Sequence, residues 1–105
     1  MSLYYILEGT EIKPTDDLLG WARWFENSDN RRIAATEVGG AMVSTVFLGI
    51  DHGFAQGGEP ILFETMIFGL NDDDEYQWRY ADLEEAIMIG HEKAVGFAKS
   101  KTGVK

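Results

Sequence analysis

Apolar positions recur with two different periods along this chain, and the changes of period divide it into elements. Leu3 to Glu8 is a β-rich run closed by Gly9. Lys13-Pro14-Thr15-Asp16-Asp17 then supplies a helix start, with Thr15 as N-cap and two aspartates at the positive end of the dipole. Leu18, Trp21, Ala22 and Phe25 follow at spacings of three and four, with Trp24 at the margin, so the first helix is expected to run to about Glu26. Arg31 to Val38 and Ala41 to Ile50 form two β-rich segments divided by Gly39-Gly40, the composition of a two-residue hairpin turn. Ile61 to Gly69 supplies a third sheet segment. The last helix is expected to open at Asp82, with Glu85 in position for a capping box. Its inward face reads Leu83, Ala86, Ile87, Gly90, Ala94 and Phe97, and Gly90 would admit close approach to the sheet. The order β-α-β-β-β-α predicts an α+β fold of two layers, a mostly antiparallel four-stranded sheet with two helices on one face. Residues 1–105 are expected to form one domain, with a polar, frayed tail over about 99–105.

Strand parity refines this picture. With Gly39-Gly40 as the turn, Arg32, Ala34, Thr36, Val43, Thr45 and Phe47 share one sheet face, and Ile33, Val46, Leu48 and Ile50 share the other. The second set is wholly apolar, so the helices are expected over it. In the third strand Ile61, Phe63 and Ile67 alternate with Leu62, Glu64, Met66 and Phe68. The mixed face would then carry Arg32, Thr36, Thr45 and Glu64 among Val43, Phe47, Met66 and Phe68, too apolar to leave bare on a monomer. A homodimer or protein-partner surface is expected there. Alternatively a loop, Tyr4 and Tyr5, or Trp78 folds over it. Tyr76-Gln-Trp-Arg-Tyr80 precedes the last helix, where Tyr76, Arg79 and Tyr80 would either join the partner or ligand surface or act as packing anchors.

Composition removes several function classes. Eighteen acidic against nine basic residues give a net charge of -9, which disfavours phosphate backbones and anionic lipid, so no direct nucleic-acid binding is expected. The densest acidic run, Asp72 to Glu75, reads as a solvated loop, with a weak hard-cation site or a surface imitating nucleic-acid charge as the sharper readings. There is no cysteine, which excludes disulfides and thiolate ligands and favours an intracellular setting. The N-terminus lacks a basic region ahead of its apolar run, and no apolar stretch reaches the roughly 20 residues that span a bilayer. A soluble, non-membrane protein is expected.

The residues able to do chemistry are few. Asp51-His52 ends a strand and opens a connection containing Gly53, Gly57 and Gly58, a place where scaffolds present functional groups. Asp51, His52, Glu64 and His91 are therefore the catalytic candidates, with His52, His91 and Glu64 as a weak metal-ligand set if the last helix brings His91 near. The competing expectation is that both histidines are structural. Gly53 to Gly58 lacks a following Lys-Ser/Thr and precedes a strand, so it is neither a phosphate loop nor a dinucleotide fingerprint, and no cofactor is expected.

Trp24-Phe25, the phrase Val43 to His52, Leu62-Phe-Glu-Thr-Met66, Tyr76 to Tyr80, and Glu85-Ala86 with Gly90-His91 resemble a group of small proteins encoded by bacteriophages and prophages, for which no activity is assigned. The resemblance covers roughly residues 15–95 and implies a cytoplasmic protein of phage or prophage origin. The expected function is a non-enzymatic accessory or binding protein acting through protein-protein contacts, such as an inhibitor of a host defence or nucleic-acid enzyme. A small metal-dependent enzyme centred on the Asp-His loop is the alternative.

Overall fold

Gly39 and Gly40 both adopt left-handed backbone angles (φ 53° and 88°), as a type I′ hairpin turn requires, and Val38 pairs with Ala41 across them. The computed structural model describes residues 4–51, 60–70 and 76–103. Around this turn the chain builds an α+β fold. Among the described residues six strands form, β1 (Tyr4–Glu8), β2 (Glu11–Thr15), β3 (Arg32–Val38), β4 (Ala41–Phe47), β5 (Phe63–Phe68) and β6 (Tyr76–Tyr80). Helix α1 spans Leu18–Glu26. An unbroken C-terminal helix comprises α2 (Leu83–Glu85), a π-helical stretch (Ala86–His91) and α3 (Glu92–Thr102).

The antiparallel four-stranded sheet has the order β3-β4-β5-β6, and β1 and β2 pair in a separate hairpin. The expected four strands thus include a different member. Tyr76–Tyr80, read as aromatics preceding a helix, pairs with β5 as an edge strand. The first strand joins the sheet's end through the Tyr4–Ile50 bridge and the Tyr5 N–H, which donates to the Gly49 carbonyl at 2.8 Å. Pro14 does not start a helix because Glu11–Thr15 is taken by pairing with β1, where proline is tolerated at an edge. The cap moves to Asp17, whose Oδ1 accepts from the Gly20 N–H at 3.0 Å.

The larger correction concerns which side of the sheet the helices cover. Phe47 pairs with Phe63, Thr45 with Thr65 and Val43 with Ile67, and these six are buried under the C-terminal helix. Glu64, Met66 and Phe68 pair instead with Val46, Ser44 and Met42 on the opposite face. The wholly apolar set is not the helix-covered one: Val46 and Leu48 are only half-buried. A register shift between Arg32 and Ala34 separates Ile33 from that set and lets it pack against the cluster around Phe47. Two apolar clusters result. Val38, Ala41, Val43 and Ile67 meet Ala94 and Ala98 of α3. Leu7, Phe47, Leu62 and Phe63 meet Ala86, with Trp24 of α1 packing edge-on against Phe47 at 5.6 Å. Both helices therefore contribute to the same side. Complete burial of Phe47 and Phe63 is worth about 1.5–3 kcal/mol each.

Close contact between helix and sheet is set by small residues. Asp82 caps α2, its Oδ1 accepting from Glu84 N–H at 2.7 Å and Glu85 N–H at 3.3 Å, as its sequence position predicts. Ala86, Gly90, Ala94 and Ala98 form the buried stripe, while Ile87 lies exposed. A Cβ added at Gly90 would sit 2.8 Å from the Tyr80 hydroxyl and closer to its ring. The segment expected to fray is helical to Thr102, whose hydroxyl donates to the Ala98 carbonyl at 2.8 Å, before Gly103 closes the helix with φ 76°.

Gly90→Ala is expected to lower the stability measured by urea denaturation by about 1–3 kcal/mol, because the methyl overpacks against Tyr80. Gly96→Ala on the same helix meets open space and is expected to raise it by about 0.4–1 kcal/mol.

Candidate functional site

The four chemistry-bearing candidates do not form one site among the described residues. Asp51 Oδ1 accepts from the Ile61 N–H at 2.9 Å, tying the two ends of the 52–59 connection together. His52 lies outside the described residues, as do Gly53, Gly57, Gly58 and the acidic run 72–75. Glu64 follows the parity of Val46 and Met66, whereas His91 reaches Thr45 on the other side of the sheet. The sheet itself therefore separates these two proposed metal ligands. No group of three His, Asp or Glu side chains placed to hold a metal occurs among the described residues.

His91 instead occupies a polar layer between the two apolar clusters. Its Nε2 lies 2.9 Å from Thr36 Oγ1 and its Nδ1 lies 2.8 Å from Thr45 Oγ1, which in turn lies 2.6 Å from Thr65 Oγ1. Thr45 and Thr65 are fully buried, and His91 is nearly so. A neutral imidazole has one donor and one acceptor nitrogen. If Nδ1 carries the proton, Thr45 accepts from it and donates to Thr65, while Thr36 donates to Nε2. The other tautomer reverses every bond, and both satisfy all four groups. Burial pushes the imidazole below its ordinary value of 6.5, with Glu92 opposing weakly. The π-helical stretch brings His91 to this position while Ile87, Met88 and Ile89 face solvent. Tyr80, beside it, has its phenol raised by burial, with Glu85 adding to the rise, so it stays neutral.

The expected partner surface divides in two. Thr45 and Phe47 are buried under the helix and leave it. Tyr76 and Tyr80 are half-buried on the helix-covered side by their pairing with Ile67 and Phe63. Arg32 is exposed and pairs with Asp29 at 3.2 Å. Glu64, Met66, Phe68 and Arg79 remain together on the opposite face, with Met42, Ser44 and Gln77 beside them. The Arg79 Nε donates to Glu64 Oε2 at 2.9 Å across the strands. Phe68 is 50% exposed and its cross-strand partner Met42 38%. Helix α1 packs on β1 rather than across this face. Sequence reasoning missed Met42 because the register of β4 against β5 was not deducible through the long connection. It missed the Thr36-Thr45-Thr65 layer for the same reason.

Thr45→Val strands His91 and Thr65 and is expected to cost about 1–3 kcal/mol in urea denaturation, whereas Thr45→Ser retains the bonds. The His91 shift has a definite sign. Because the folded-state value is depressed, the unfolded chain binds the extra proton as pH falls below 6.5. Stability is therefore retained above that value and declines below it until the folded imidazole itself titrates. Comparing urea midpoints from pH 7.5 to 5.5 should show a decline in the parent that is shallower in His91→Gln.

No helix among the described residues is long and apolar enough to cross a membrane. No protein-family model, curated protein or solved structure matches the chain.

Proposed function

We infer that this chain is a non-enzymatic accessory protein of phage or prophage origin, working in the bacterial cytoplasm by binding another protein through the helix-free face of its sheet. The observation that carries this reading is the exposed, in-register Met42–Phe68 pair, continued by Met66 and bordered by the Arg79–Glu64 ion pair. An apolar centre with a charged margin is the composition of a recognition surface rather than of a solvated one. The dispersal of Glu64 and His91 to opposite faces favours binding over metal-dependent catalysis. Phage origin and cytoplasmic location rest on the phrases from Trp24 to His91 that resemble phage-encoded proteins. Small size and a net charge of -9 suit an inhibitor that engages a defence or nucleic-acid enzyme at its basic surface.

The test is a quantitative affinity capture from a bacterial host, with parent, Phe68→Glu and Leu19→Glu proteins as baits. Leu19 is 75% exposed on α1 and serves as a control for adding charge elsewhere. A host protein held by the parent and the Leu19 variant, and reduced about tenfold or more by Phe68→Glu at unchanged melting temperature, is expected. Equal recovery by all three baits, with expression leaving phage plating unchanged across defended hosts, overturns the reading.

A further inference from the structure

We propose that the outward face of the C-terminal helix around Met88 is a second recognition surface, which takes a basic amphipathic helix of a protein partner. Outside its π-helical stretch the exposed side of this helix is polar, with Glu84 and Glu85 before the stretch and Glu92, Lys93 and Lys99 after it. Within the stretch that pattern breaks. Ile87, Met88 and Ile89 are 37%, 66% and 47% exposed, three consecutive large apolar side chains where a solvated face would carry charge. Ala86, Gly90 and His91 already fill the contact with the sheet, so the core makes no demand on these three.

The π-helical turn is what presents them together. Its closure from residue i to i+5 widens the helix, and such turns occur frequently at functional sites. Met88 stands at the crest. Ile87 lies on one flank, where it lines a hollow of about 390 Å³ with Leu83 and Ile33. Ile89 lies on the other, where it lines a hollow of about 340 Å³ with Trp78 and Phe97. A crest between two hollows suits a second helix, since helices meet by setting the side chains of one between those of the other. The unbranched thioether of Met88 adapts to varied apolar neighbours, as a contact at the centre of such a packing requires.

Charge selects the occupant. Among the described residues Glu84, Glu85 and Glu92 border the crest on its own helix, and Lys93 is the cation beside them. None of the three carboxylates enters an ion pair among the described residues, whereas Asp29 of the neighbouring hollow is already paired with Arg32. Three carboxylates against one ammonium, in a chain of net charge -9, favour an apolar stripe flanked by lysine or arginine. A partner helix with apolar anchors at i, i+3 or i+4, and i+7 brings that stripe and its basic margins in one element. A second copy of this chain would set carboxylates against carboxylates, and nucleic acid brings neither the apolar stripe nor the positive charge.

The experiment uses fluorescence anisotropy with a fluorescein-labelled peptide of about 18 residues that carries leucine at helical spacing and lysine elsewhere. Its glutamate-for-lysine counterpart and a version broken by a central proline are the comparisons. Saturable binding of the basic peptide is expected, weakened about tenfold or more by Met88→Gln combined with Ile89→Gln, and about threefold or more by Glu84→Gln combined with Glu92→Gln. The other two peptides are expected to bind at least about tenfold more weakly than the basic one. Leu19→Gln, which removes a side chain 75% exposed on α1, and Phe68→Gln on the helix-free face are expected to bind like the parent. No saturation at protein concentrations up to about 1 mM, equal affinity for all three peptides, or equal weakening by Leu19→Gln overturns the proposal. A concentration-dependent dimer in sedimentation velocity that Met88→Gln abolishes also overturns it, by giving the face to a second copy. Glu84 and Glu92 are exposed, so their variant keeps the test decisive should the apolar pair of substitutions lower the melting temperature. The site shares no residue with the Met42–Phe68 face, so failure here leaves the binding role of that face standing, and failure there leaves this site standing.

Discussion

The helix can lie where it does only because the polar layer beneath it is closed on itself. His91, Thr36, Thr45 and Thr65 sit between the Val43–Ile67 and Phe47–Phe63 clusters, and the buried His91, Thr45 and Thr65 must find partners inside the protein, with the half-buried Thr36 closing the outer end. An imidazole between two hydroxyls meets that condition in either tautomer, and the third hydroxyl takes the end of the chain. One register of β4 against β5 and one placement of the helix satisfy it. A helix displaced along the sheet would leave a buried nitrogen without a partner, which penalises the alternative more than any single apolar contact rewards it. Gly90 and the π-helical stretch meet the same demand, since one admits the Tyr80 ring and the other presents His91 to the sheet.

That arrangement explains what was legible in the sequence. The diglycine hairpin, the Asp82 cap, the close approach at Gly90 and the end of the first helix at Glu26 depend on local rules, and each follows from a few neighbouring residues. The α+β class followed from the alternation of periods. What failed was non-local. The register of β5 against β4 is set across a connection too long to fix it, and a one-residue difference moved Glu64, Met66 and Phe68 to the other face. Purity of the Ile33, Val46 and Leu48 set suggested the wrong side for the helices, because threonine hydroxyls that bond His91 are compatible with a core. The bulge at Arg32–Ala34 then dissolved that set. Tyr76–Tyr80 was hidden by its short length and by aromatics that suit a packing anchor as well as a strand.

The same geometry governs where function can reside. Sequence proximity and residue type brought Asp51, His52, Glu64 and His91 into one candidate centre, of which His52 lies outside the described residues. The folded chain instead makes Asp51 a loop clasp, Glu64 half of a cross-strand ion pair and His91 a core hydrogen-bonding hub. These three groups are thereby committed to structure. Among the described residues the fold leaves apolar surface outside its core at Met42 and Phe68 on the helix-free face, at Trp78 and Ile89, at Leu18 and Leu19 of α1, and at Met88.

The state of the His91 ring is the most direct test of the layer on which these surfaces depend. Nitrogen-15 spectra of the imidazole, followed from pH 8 to 5.5, should show a neutral ring whose two nitrogens stay distinct, one protonated and one accepting, through the ordinary value of 6.5. A ring that titrates at 6.5 with averaged nitrogen shifts would mean that His91 is open to water, and the closed layer between the two clusters would not exist.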